Sequence, residues 1–87
     1  MRVSYYLDIL KPHQPSVDLL ARTLMKVDGA SSVNIKVDEL DQKTASLHIK
    51  IEGIDISLEI IKEVLAEMNC ALHSVDECDI KSIESPK

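Results

Sequence analysis

The order in which two hydrophobic periods follow one another constrains this chain more than any other feature. From Val3 to Leu10, apolar residues recur at every second position, Val3, Tyr5, Leu7 and Ile9, the signature of a strand with one buried face. The run Lys11-Pro12-His13-Gln14-Pro15 halts it, because two prolines remove backbone donors and restrict the residues before them. Ser16 or Gln14 can then cap a helix whose inner stripe is Val17, Leu20, Ala21, Leu24 and Val27, closed by Asp28-Gly29. Alternation returns from Ser32 to Leu40, through Val33, Ile35 and Val37, and again through Ala45, Leu47, Ile49 and Ile51. Gly53 and Asp55 open a second helix, with Leu58, Ile61, Leu65 and Met68 inside and Asn69 at its end. A fourth strand runs from Ala71 to about Cys78.

Strand, helix, strand, strand, helix, strand in so short a chain predicts an α+β fold. The expected architecture is the ferredoxin-like βαββαβ sandwich, an antiparallel sheet ordered 4-1-3-2 with both helices on one face. Residues 1–80 form this domain, and residues 81–87 are expected to be a flexible tail. Hairpin register follows from burial. Val37 and Ile35 face Leu47 and Ile49, rather than His48, only if the loop holds an odd number of residues, Asp41 to Lys43, or a bulge intervenes. Strands one and three are read as running parallel, with both edge strands opposed. That direction would gather the Lys11 to Gln14 loop, the Gly53 to Asp55 loop, Asn34 and the Cys70 to His73 stretch at one end of the sheet. The two copies of Val-Asp-Glu-x-Asp, Val37 to Asp41 and Val75 to Asp79, would lie at the other.

Composition narrows the functional classes. An 87-residue chain has room for one core and is marginal alone, so association of subunits is expected. Hydrophobic residues at 45% against 29% charged place it among folded rather than disordered chains. Its net charge is -5, its ten Lys and Arg are scattered, and Tyr5 and Tyr6 are the only aromatics, so nucleic acid is not an expected partner. No basic leader with an apolar stretch and no run of membrane-spanning length is present, which makes the cytoplasm the expected location and membrane binding an unexpected one. Cys70 and Cys78, eight steps apart at roughly 3.3 Å each along a strand, are too distant for a disulfide.

Three groups of residues carry potential chemistry. Lys11, His13, Asn34 and His73, with Asp55 nearby, can bind a small anion where the first helix begins. The competing reading is a capping cluster of histidines bonded to loop carbonyls. Cys70, His73 and His13 have the N and S donors zinc takes, although a cysteine at a helix end is commonly a small buried hydrophobe. Asp38, Glu39 and Asp41, echoed by Asp76 and Glu77, offer oxygens to weakly bound calcium or another divalent metal such as magnesium. In a regular strand Asp38 and Glu39 point to opposite faces, so a cage needs a bulge, the other copy or another subunit. The alternative is solvated edge charge that discourages aggregation.

The sheet face away from the helices would display Tyr6, Asp8, Asn34, Lys36, Asp38, His48, Lys50 and Ser74. Asp8, His48 and Ser74 supply an acid, a base and a hydroxyl, but an open face gives neither shelter nor an oxyanion hole. A subunit interface suits that face better than catalysis.

The run Leu7-Asp8-Ile9-Leu10-Lys11-Pro12-His13-Gln14-Pro15-Ser16, with Val33-Asn34-Ile35, Ile51-Glu52-Gly53 and His73-Ser74-Val75-Asp76-Glu77, resembles the archaeal domain of unknown function 211 family. The resemblance covers nearly the whole chain except its tail. It implies a ferredoxin-like fold, an archaeal source and self-association, and it brings no reaction and no catalytic residues. Other functions of this fold lack their signatures here: no cysteine run for iron–sulfur ligation, no Cys-x-x-Cys in the first loop, and no aromatic pair on the central strands for RNA. Acylphosphatase also carries an Asn on its second strand, but its glycine-rich, arginine-ended first loop is not Lys11-Pro12-His13.

The function that these observations predict is a non-enzymatic binding or interaction module that forms homo-oligomers and takes a small anion or divalent metal. The alternatives are a small enzyme with its active site at a subunit interface and a purely structural subunit.

Overall fold

A computed structural model describes residues 1–83. Six elements follow in order: β1 (Arg2–Pro12), α1 (Val17–Leu24), β2 (Ala30–Leu40), β3 (Thr44–Ile54), α2 (Leu58–Glu67) and β4 (Ala71–Lys81). They form the expected ferredoxin-like βαββαβ sandwich, with one four-stranded antiparallel sheet ordered β2-β3-β1-β4. The period-two residues make its inner face. Val3, Leu7 and Ile9 of β1 and Ala45, Leu47, Ile49 and Ile51 of β3 are buried against Leu20 and Leu24 of α1 and Ile61 and Leu65 of α2.

Both helices begin at serines whose hydroxyls accept from the backbone three residues on: Ser16 from Leu19 N at 3.1 Å and Ser57 from Ile60 N at 3.3 Å. Ser57, rather than Gly53 or Asp55, therefore opens α2. Gly53 is the penultimate residue of β3, and Asp55 binds the chain's amino group at 2.9 Å. At that corner Gly29, with φ of 90°, accepts from Ile54 N at 2.9 Å. A Cβ on Gly29 would collide with the carbonyl of Ile54 and one on Gly53 with the carbonyl of Gly29, which is why both positions lack one.

Chain direction differs from the sequence reading. β1 and β3 are antiparallel, Arg2 facing Ile54 and Pro12 facing Thr44, and β1 and β4 are antiparallel as well. Each helix crosses over between two strands of the same direction, so β2 runs with β1 and β4 with β3. The Lys11 to Gln14 loop consequently shares its end with the Asp41 to Lys43 hairpin and the start of β4. The Gly53 to Asp55 segment lies at the far end, beside Met1 and Lys81. The two Val-Asp-Glu-x-Asp copies occupy opposite edges and run in opposite directions.

Val37 faces Leu47 and Ile35 faces Ile49, as burial requires. The hairpin closes through Asp41 N to Thr44 O at 2.8 Å, and Asp38 is the extra residue that restores this register. β4 carries two further bulges, at Asp76 and His73, and extends to Lys81, beyond Cys78. Of the expected flexible tail, Lys81 ends β4 and residues 84–87 lie outside the described residues.

Candidate functional site

The antiparallel register lines up transverse rows on the face away from the helices. Asn34, Lys50, Tyr6 and Glu77 form one row across all four strands, and Lys36, His48, Asp8 and Ser74 form the next. A trough of about 360 Å³ runs along the first row, with Lys36, His48 and Asp76 on its walls. The Lys50 ammonium stands 5.3 Å from the Tyr6 ring centroid, a cation–π contact midway along the trough. The hydrogen bond to Tyr6, then the charge of Glu52, raise the Lys50 pKa.

In the neighbouring row, Glu52 gathers Ser4 at 3.2 Å and Ser32 at 3.3 Å, with Lys50 at 3.5 Å. Partial burial disfavours its charge, but Lys50 and the two hydroxyls outweigh that and hold its carboxyl below the ordinary range. This network on the open face was not singled out in the sequence. Its signal was available, since Ser4, Ser32 and Glu52 all fall on the polar side of their alternations.

The expected anion site is not assembled as one cluster. Lys11 continues the buried phase of β1, and its ammonium donates to the carbonyls of Pro12 at 2.7 Å, His13 at 3.2 Å and Pro15 at 2.7 Å, folding the proline loop around itself. His13 Nε2 bonds Asp41 O at 3.1 Å, tying that loop to the hairpin. His73 lines a separate shallow concavity with Asp8, Leu10 and Ser46, and Asn34 belongs to the trough. Cys70 is buried and its thiol, bonded to Met68 O at 3.7 Å, is pushed up by burial against the opposing pull of Lys11. A protonated thiol is a poor partner for zinc.

Asp38 lies 3.5 Å from His48 Nε2, while Asp76 accepts from Ser74 Oγ at 2.6 Å. Although each copy has the bulge that a carboxylate cage would need, no group of three or more His, Cys, Asp or Glu among the described residues is placed to hold a metal ion. Asp8 does face His48 and Ser74 across its two neighbouring strands, but each of those is bonded elsewhere, so no relay joins them. Among the described residues no helix is long and apolar enough to cross a membrane.

Residues 3–83 match the model of DUF211, described as uncharacterized ArCR. The uncharacterized protein MJ0319 of Methanocaldococcus jannaschii is similar to this chain, 37% identical over 71 residues that make up 82% of this chain and 73% of that protein.

Proposed function

The chain belongs to the uncharacterized archaeal DUF211 family, and we propose that it is a non-enzymatic binding module that works as a homo-oligomer. The mismatch between strands and helices carries this reading. Eleven-residue strands reach about 36 Å, whereas the eight and ten residues of α1 and α2 reach only about 12 and 15 Å. The helices cover the central strands and leave the distal inner faces of both edges bare. Leu40 is 74% exposed and Ile80 53%, and Val37 and Val75 are open as well. All four belong to strands, where apolar exposure on an unpaired edge invites another chain.

Because the two bare corners lie on opposite edges, each subunit can offer one to each of two neighbours, a head-to-tail contact that forms a ring when the rotation between neighbours closes. Joining the β2 edge of one subunit to the β4 edge of the next would bring Asp38 and Glu39 toward the neighbour's second Val-Asp-Glu copy. Only such pooling would gather enough carboxylates for calcium. Native mass spectrometry of the intact protein, with and without calcium, tests the reading. A multimer is expected, and a monomer at micromolar concentration defeats it.

A further inference from the structure

We infer that the trough on the open sheet face binds short peptides of two or three residues through their free termini. The inference rests on the reading of the chain as a binding module but not on its self-association. The trough has opposite charge at its two ends: Lys36 beside the Asn34 amide on β2, and Glu77 with Asp76 on β4. The side chains of Lys36, Asn34 and Glu77 have no hydrogen-bond or ion-pair partner among the described residues. The other basic side chains facing the trough are already engaged, Lys50 by Glu52 and Tyr6 and His48 by Asp38.

That layout decides between ligand classes. A simple anion would be drawn to Lys36 and repelled by Glu77, and a simple cation would meet the reverse. A dipolar molecule satisfies both ends. Three steps between strands of about 4.8 Å separate the β2 and β4 backbones by about 14 Å, so a free amino acid, whose charges share one carbon, cannot reach both walls. Extended peptide adds about 3.5 Å per residue, and two or three residues place the termini about 7–10 Å apart, a gap the Lys36 and Glu77 side chains can close. Tyr6, midway along the row with Lys50 over its ring, gives a central apolar or aromatic peptide side chain an apolar surface to contact. A volume of about 360 Å³ accommodates such a ligand. The peptide carboxylate lies toward Lys36 and Asn34, and its ammonium toward Glu77 and Asp76.

The probe is Ala-Phe-Ala with free termini, titrated calorimetrically into the full chain, with sedimentation run on the same samples. Saturable binding is expected with Kd of about 0.1–1 mM, weakened at least about fivefold by amidating the carboxyl end or acetylating the amino end. Lys36→Gln should weaken the free peptide to a similar extent yet leave the amidated one unchanged. Glu77→Gln should do the same for the free and acetylated pair. Both positions are exposed, so the fold should survive, as circular dichroism would show. No saturable heat up to about 10 mM, equal binding of capped and free peptides, or indifference to both substitutions would each overturn the inference. Because sedimentation reports assembly separately, loss of either property alone identifies which reading has failed.

Discussion

Asp38 and Asp76 are the extra residues of equivalent bulges, one on each edge of the sheet: Asp38 beside Leu47 and Asp76 beside Leu7. The relationship is the fold's internal twofold made visible, because Val37 faces Leu47 as Val75 faces Leu7. A bulge leaves a residue unpaired and twists its strand, so each edge is interrupted just where its inner face becomes bare. On the proposed reading as a homo-oligomer, the bulges guard the edges against indefinite strand addition and leave the apolar corners for a specific neighbour.

Deleting Asp38 should straighten β2 without changing its pairing, since Val37 and Glu39 already face the adjacent residues Leu47 and Ser46. The fold should persist and the edge become sticky. Light scattering on concentrated protein should rise relative to the native chain; unchanged scattering would mean the bulge guards nothing.

Leu40→Asp and Ile80→Asp place a charge on the exposed corners without touching the core. Each should weaken assembly about tenfold or more, read by sedimentation velocity across a concentration series, while the denaturation curve of the subunit keeps its shape. Assembly that ignores both substitutions would move the interface elsewhere.

Lys11→Met removes the donor that three loop carbonyls share. Buried or half-buried acceptors left without partners should cost about 2 kcal/mol in urea unfolding. A Lys11→Met chain as stable as the native one would show that the ammonium is not organising the proline loop.

Gly53→Ala forces a methyl into the carbonyl of Gly29 and the Ile56 side chain. Overpacking of this kind costs about 1–3 kcal/mol, and the thermal midpoint should fall accordingly. An unaltered midpoint would require the β2 and β3 termini to part freely.

Glu52 contributes to stability in a pH-dependent way. Its carboxyl is held below the ordinary range in the folded chain, so its contribution is full above the unfolded carboxylate range and is lost as pH falls through the folded value. The stability gap between the native chain and Glu52→Gln should therefore be widest near neutrality and close in acid. A gap independent of pH would assign the effect to shape rather than charge.

The sequence by itself determined the elements, the buried phase of β1, of β3 and of β2 as far as Val37, and the family resemblance. A period of two or 3.6 residues is a local property, readable without knowing what the segment touches. Even the place of Lys11 was legible, because it continues the phase of Val3, Leu7 and Ile9, although its residue type suggested a ligand site. The pairing of Val37 with Leu47 followed from burial alone, whether a loop or a bulge supplied the odd residue.

Tertiary structure decided which bulges form and which polar residues share a row. Alternation reads the same in either direction, but the antiparallel order expected for the fold already opposes β1 to β3 and sets Asp55 far from His13, against the parallel reading of strands one and three. The join of Asn34 to Glu77 through Lys50 and Tyr6 depends on three inter-strand registers, two of them altered by single inserted residues. Such shifts are set by hydrogen bonds between segments distant in sequence and by which side chains the short helices can cover. In the sequence they show only as inward apolar residues spaced by three, Val37 to Leu40, Leu72 to Val75 and Val75 to Cys78, a spacing that alternation alone does not assign to a bulge.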